Sequence, residues 1–331
     1  MKKILLWLGG IVAILFIAYL LGPKPATPSL TMPQFSLPSQ LTDLEKQINT
    51  DEMAVLGIRP GCEARIVWAD SAKKEKTKIA FLYIHGFSAS EKEGDPVHKD
   101  IAKKYGANLY LARLAGHGVF LGDSTMKNLT SDDLVNSAEK SLAIAKQLGN
   151  EVVIIATSFG GALTTYLAAH HPEIKAIVLY SPCIKIYDDN AELLDNHWGL
   201  EIAKLVNGSE IRDYKPWNEE HGKYWSTHYH LNGVIAIQNF MTVAMNKETF
   251  AQIKCPTFLG YYYKNEEEQD KVVSVPAMLK MYDELGVPAN LKRKIAFPKA
   301  GNHVLASYVL SKDYQGVEKE TDKFLKEIVK L

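Results

Sequence analysis

Cysteine is scarce in this chain: three among 331 residues, Cys62, Cys183 and Cys255. An odd count excludes a framework in which every cysteine is paired within one chain. Cys183 and Cys255 flank predicted strands and read as small buried residues rather than as a pair. A bridge from Cys62 to either one stays compatible with the sequence in an oxidising compartment. No cluster of cysteine and histidine has metal-ligand spacing, so neither a metal nor another cofactor is expected. Charge of one sign is also missing. The 38 basic and 38 acidic residues cancel, which argues against the basic surface of a nucleic-acid-binding domain. No internal repeat or low-complexity run occurs. What the chain does have is apolar content, 47% of its residues. Over this length that is enough for one large core, with room for an inserted subdomain.

The N-terminus carries the longest apolar run. Lys2 and Lys3 precede an uncharged stretch, 4–22, with Trp7 near one end and Tyr19 near the other. Its length approaches the ~20 residues of a bilayer crossing, and the two aromatics sit where interfacial anchors would. A cleaved signal peptide is the competing reading, but the 18–23 segment makes a poor cleavage site and no cysteine follows to take a lipid. The expectation is an uncleaved membrane anchor over 1–22. The two lysines would stay on the cytoplasmic side and the rest of the chain on the periplasmic or extracellular side. Pro23, Pro25, Pro28, Pro33 and Pro38 then give a stiff tether over 23–40. A domain follows over 41–331, beginning with a short helix at 41–48 that Thr42 would cap.

Within that domain strands and helices alternate. Strands are expected at 65–68, 78–84, 108–112, 152–155, 175–180, 256–263 and 292–297. Helices are expected at 96–105, from the capping residues 129–133 to about 148, at 162–169, 275–285 and 313–329. This order predicts an α/β fold with a mainly parallel sheet covered on both faces. Between about 184 and 253 the alternation lapses. The segment is rich in aromatic and polar residues, among them Tyr187, Trp198, Tyr214, Trp217, Trp225 and His228, with helices expected near 191–206 and 234–245. Because it interrupts the sheet at a strand-to-helix connection, where ligands bind in such folds, it reads as a helical lid.

The chemistry centres on Ala156-Thr-Ser-Phe-Gly160, set between the β-branched run 152–155 and the helix. A strand that turns at once into a helix forces its central residue into a strained shape, and the flanking positions must be small. Ala156, Gly160 and Gly161 meet that demand. Such a turn projects the Ser158 hydroxyl outward and aims the first N–H groups of the helix at the same point, where a developing oxyanion could be held. An alcohol needs a base, and the base needs a carboxylate to orient it. His303 follows the last predicted strand. Glu266, Glu267, Glu268 and Asp270 follow the strand before it and compete for the acid. Asp270 is preferred, with Glu268 second, because Val272 and Val273 return the chain to the core just beyond Asp270.

Together these residues resemble the serine hydrolases of the α/β-hydrolase superfamily, in particular the monoacylglycerol lipase and lysophospholipase-like branch. The resemblance covers about 60–330. It rests on His85-Gly86 after a strand, Gly116-His-Gly118, the turn at Ser158, Asp270 with Val273 three residues on, and His303 near the end. It implies an α/β-hydrolase fold and a triad of Ser158, Asp270 and His303. It also implies an oxyanion hole from the backbone N–H groups of Phe87 and Phe159, and a structural rather than chemical role for His117. Ala156 stands where the family has glycine, Val119-Phe120 where it often has a small polar residue. The 261–270 loop is longer and more acidic than usual, and the lid more polar. The implied activity is hydrolysis of a carboxylic ester, a short or medium acyl ester or a monoacylglycerol-like lipid, through an acyl-enzyme. An amidase or aminopeptidase on the same triad, or a non-catalytic binding protein of the cell envelope, are the alternatives.

Overall fold

The computed structural model describes residues 2–331, and all their side chains except those of Lys2, Lys3, Leu5 and Leu6. Helix α1 (Lys2–Leu20) is followed by α2 (Leu41–Met53), β1 (Arg65–Val67), β2 (Thr77–Ile84), α3 (Val97–Lys104), β3 (Asn108–Leu111) and α4 (Ser131–Leu148). Then come β4 (Gly149–Thr157), α5 (Phe159–His170) and β5 (Ala176–Tyr180). The lid holds α6 (Gly199–Asn207), β6 (Ile211–Asp213), α7 (Glu219–Tyr224), β7 (His228–His230), α8 (Asn232–Ala244) and α9 (Lys247–Gln252). The chain closes with β8 (Thr257–Tyr261), α10 (Val275–Glu284), β9 (Lys292–Ala296) and α11 (Tyr314–Phe324), which runs on as a wider turn at Leu325–Val329.

Seven strands form the main sheet in the order β1-β3-β2-β4-β5-β8-β9. Only β1, at the edge, pairs antiparallel; every other neighbour is parallel. The period of two along each strand divides its side chains between two cores. Leu82, Ile84, Ile154 and Ala156 enter the larger cluster on one face, and Phe81, Tyr83, Val153 and Ile155 the smaller one on the other. The near-continuous apolar runs in the sequence are therefore what a sheet buried on both sides requires. Helix α4 starts on a reciprocal cap in which Thr130 Oγ1 accepts from the Asp133 N–H and Asp133 accepts in return from the Thr130 N–H. Thr42, by contrast, is not a cap: α2 begins one residue earlier, after Gln40, whose side chain makes no capping bond.

The lid departs from the sequence reading at two points: it is not wholly helical, since β6 and β7 pair antiparallel within it, and its first expected helix is broken. No continuous helix spans 191–206. A 3₁₀ turn (Asp189–Asp195) gives way to α6 through Trp198, which sits in the left-handed region at φ 66°. Loops of the main domain pin the lid: the Ser226 N–H donates to Ser88 O at 2.7 Å and the His230 N–H to Thr125 O at 2.9 Å. Arg59 Nη1 donates to Trp225 O at 2.8 Å.

The three cysteines are free and buried, so no bridge forms at Cys62. The segment 23–40 runs along the domain: Ser29 and Leu30 donate backbone N–H groups to Asp132, and the Tyr166 hydroxyl donates to Leu30 O. The expected membrane crossing finds no support. Among the described residues no helix is long and apolar enough to cross a membrane. Helix α1 has 19 residues, two of them the leading lysines.

Candidate active site

The central strand β4 ends at Thr157 and α5 begins at Phe159, so Ser158 alone makes the turn between them. Its backbone sits at φ 55°, ψ −123°, a shape that costs a side-chain-bearing residue about 1–3 kcal/mol. The surroundings enforce it. The Ser158 N–H donates to Tyr180 O at 2.9 Å, while Ser158 O accepts from the N–H groups of Gly161 at 2.9 Å and Cys183 at 2.8 Å. A Cβ on Gly160 would lie 2.2 Å from Ile84 O, and one on Gly161 2.7 Å from the Pro182 Cβ. Ala156 is fully buried between its neighbours Ile84 and Leu179.

Ser158 is 7% exposed and opens into a cavity of about 290 Å³. Asp270 and His303 come from the loops after β8 and β9. Asp270, 1% exposed, accepts at Oδ1 from the N–H groups of Val272 at 2.9 Å and Val273 at 3.1 Å, and at Oδ2 from His303 Nδ1 at 2.6 Å. The competing carboxylates lie away: Glu266 meets the Tyr263 hydroxyl and Glu268 pairs with Lys264, both at the surface. His303 faces the same cavity as Ser158, and no hydrogen bond joins the two among the described residues. Burial pushes the His303 imidazole down, but the charge and hydrogen bond of Asp270, with a further contribution from Glu93, outweigh it and leave the group above its ordinary range.

Phe87 and Phe159 also line the cavity. Phe159 opens α5, so its N–H has no acceptor within the helix. The Phe87 N–H has no backbone acceptor among the described residues. The loop that carries Phe87 is held from behind. His85 Nε2 accepts from the Leu114 N–H at 3.1 Å and Nδ1 donates to Gly86 O at 2.8 Å, and burial pushes the pKa of the ring down to about 3, so that it is neutral near pH 7. His117 is fully buried, bonded to Ala115 O at 2.8 Å and outside the cavity lining.

One cavity residue was not legible beforehand. Glu93 lies in a 3₁₀ turn (Glu91–Gly94), is 2% exposed, and faces the cavity beside His303. Its sequence neighbourhood, Glu91-Lys-Glu93, has the look of a solvated charged turn, and no local pattern sets it apart. The lid supplies the cavity roof: Trp217, His221 and Trp225 stack in series, with ring centroids 6.0 and 4.9 Å apart. Tyr229 meets Phe87 edge to face at 5.3 Å. A larger cavity of about 760 Å³ lies elsewhere, lined by Lys24, Lys185, Met245 and Lys280; it contains neither Ser158 nor His303.

A serine on a strained turn at the end of a central parallel strand, with an acid and an imidazole from the loops after β8 and β9, decides the architecture. The chain has the α/β-hydrolase fold. Comparison with solved structures agrees with that fold. A solved structure from work on LipS and LipT, two metagenome-derived lipolytic enzymes, superposes with a TM-score of 0.65 at 17% identity, over 81% of this chain and 99% of that one. A monoacylglycerol lipase from Paleococcus ferrophilus gives 0.57 at 13% identity, over 79% and 97%. Est1E from Butyrivibrio proteoclasticus, with ferulic acid bound, gives 0.54 at 16% identity, over 83% and 99%. In sequence, this hydrolase-fold chain is 35% identical over 112 residues to the thermostable monoacylglycerol lipase of Bacillus sp. (strain H-257). That stretch is 34% of this chain and 44% of the length of that enzyme. No family model matches the chain.

Proposed function

We propose that this protein hydrolyses carboxylic esters with short or medium acyl groups, monoacylglycerol-like lipids included, through an acyl-enzyme on Ser158. The observation that carries the reading is the 2.6 Å bond from His303 to the buried Asp270, made at the wall of the cavity into which Ser158 opens. With Nδ1 held by Asp270, the other ring nitrogen of His303, Nε2, is the one left to act as base.

In the first step Ser158 Oγ bonds to the ester carbonyl carbon while His303 takes the hydroxyl proton. The carbonyl oxygen becomes an oxyanion, held by the N–H groups of Phe87 and Phe159. Collapse expels the alcohol, which leaves with the proton from His303. Water then gives a proton to His303 and attacks the acyl carbon, and the carboxylic acid departs as the proton returns to Ser158. The Ser158–His303 hydrogen bond forms in this scheme on substrate binding, since such contacts tighten in the complex. The substrate class is supported by the partial similarity to a monoacylglycerol lipase and by cavity size. About 290 Å³ is at the lower end of the ~300–1,000 Å³ typical of small-molecule sites.

A panel of p-nitrophenyl esters of increasing chain length tests the proposal, with wild type and Ser158→Ala side by side. Hydrolysis that survives in Ser158→Ala rules out the acyl-enzyme. Faster turnover of aminoacyl anilides than of esters would move the reading to amides. The placement of the domain at the outer face of a membrane is likewise a proposal, drawn from the apolar run 4–22 behind two lysines. Its check is fractionation of the full chain against a form lacking 1–22; equal recovery of both in the soluble fraction defeats it.

A further inference from the structure

Two carboxylates of one short turn, Glu91 and Glu93, are buried to the same degree, 3% and 2% exposed. Their surroundings differ completely. Glu91 is ringed by cations: Arg65 Nη2 at 2.6 Å, Lys99 Nζ at 3.1 Å and His98 Nε2 at 3.2 Å. Glu93 has no lysine or arginine against it among the described residues. Its carboxylate accepts the Gly86 N–H, and it faces the cavity that holds Ser158 and His303. Gly86 is wedged between it and the serine. A Cβ there would lie 2.7 Å from the Ser158 Cβ and 3.0 Å from both Glu93 carboxylate oxygens.

An unpaired carboxylate is expensive to bury, so an arrangement that leaves one beside an imidazole and on a backbone N–H calls for a role. We propose that Glu93 is a positioning residue of the hydrolytic site. It fixes the 85–87 loop through the Gly86 N–H, so that the adjacent Phe87 N–H points at the oxyanion, and it supplies a second negative charge to the imidazolium that His303 becomes.

The titratable groups around Glu93 are few. Tyr83 of β2 lies near it, its hydroxyl 3.0 Å from Thr157 Oγ1 and pushed well above its ordinary range by burial and by the Glu93 charge. His303 approaches from the loop after β9 with Asp270 behind it, and Glu91 is on the same turn. Burial raises Glu93 to about 7, against the pull of the Gly86 N–H and of His303. In Glu91 the pull of His98, Arg65 and Lys99 overcomes the same burial and holds the group below the usual carboxylate range. His303 and Glu93 therefore titrate as a coupled pair in which each stabilises the charged form of the other.

The kinetic arm of the test rests on the ester-hydrolase reading; the spectroscopic arm does not. Glu93→Gln keeps an oxygen for the Gly86 N–H and removes the charge. The low-field NMR signal of the His303 Nδ1 proton, followed against pH, is expected to titrate about one unit lower than in wild type. The acid limb of kcat/KM should move down with it, because a less basic imidazole is freed at lower pH, and kcat on its plateau should fall about tenfold. An unchanged His303 midpoint in folded Glu93→Gln overturns the electrostatic role. Glu93→Asp keeps the charge and withdraws the oxygens from Gly86. It is expected to hold the His303 midpoint near that of wild type while lowering kcat more than it changes KM. Wild-type kcat in Glu93→Asp overturns the loop-fixing role. If wild type turns over no ester while the Glu93→Gln midpoint still moves, the function proposal fails and the coupling of Glu93 to His303 stands.

Discussion

The floor and the roof of the cavity are held by different physics. The floor is the turn at Ser158, where atoms are so close that a single added carbon would collide with backbone: 2.2 Å to Ile84 O at Gly160. The roof is the lid, where Trp217, His221 and Trp225 stack as faces and Trp217 stays largely exposed. Steric exclusion fixes the floor to one geometry. Stacking, the backbone bonds of Ser226 and His230, and the Arg59 guanidinium on Trp225 O fix the roof, and such contacts tolerate sliding. The difference suggests that the floor sets the chemistry and the roof sets what fits.

That division can be broken by substitution. The largest effect is expected at the floor: Asp270→Asn should lower kcat by about 10³–10⁴ with KM little changed, because His303 loses the partner that fixes its tautomer and orientation. Steady-state kinetics on a p-nitrophenyl ester would show it. A comparable loss of kcat from a lid aromatic would erase the distinction. Next is stability. Gly160→Ala should cost about 2–4 kcal/mol in urea unfolding, since the backbone it meets has no room to yield. Gly222→Ala, in lid helix α7, meets only the Pro216 ring at 3.2 Å and should stay within about 1 kcal/mol of wild type. Equal costs at the two glycines would contradict the contrast between floor and roof.

Smaller still is Trp217→Ala, expected to raise KM for bulky esters by less than about tenfold with kcat nearly constant, as loss of binding common to ground and transition states would. The smallest effect is in pH. In the proposed mechanism His303 must be neutral to act as base, and the Asp270 carboxylate raises it above its ordinary value despite burial. Activity should therefore rise with pH along a limb centred above about 6.5, the value of a free imidazole. In Asp270→Asn, where burial acts with less opposition, the limb should move to lower pH. A limb at or below the free value in wild type would contradict the raised imidazole.

Much of the floor could be read locally. The run of β-branched residues at 152–155, the small residues at 156, 160 and 161, and good helix formers beyond them act over a few bonds, and β4, Ser158 and α5 follow. Asp270 could be singled out because the chain returns to the core just beyond it, though only Val273 does so and Val272 stays exposed; the N–H groups of both donate to it. The lid was less legible. Helix-forming residues over 191–206 suggested one helix, but Trp198 takes a left-handed shape, its N–H donating to Pro23 O and its indole to Ala18 O and Tyr19 O. Those partners lie more than 170 residues away in the chain, beyond the reach of any periodicity.

By itself the sequence determined the alternation of strands and helices and the one place where an alcohol could be forced outward, since both follow from short-range sterics and a hydrophobic period. Only the tertiary structure separated Glu93 from Glu91. The two look alike along the chain, and what distinguishes them is which charges the folded molecule brings against each: Arg65, Lys99 and His98 around one, His303 and the Gly86 N–H at the other. Electrostatic character in a buried site depends on neighbours that only packing supplies.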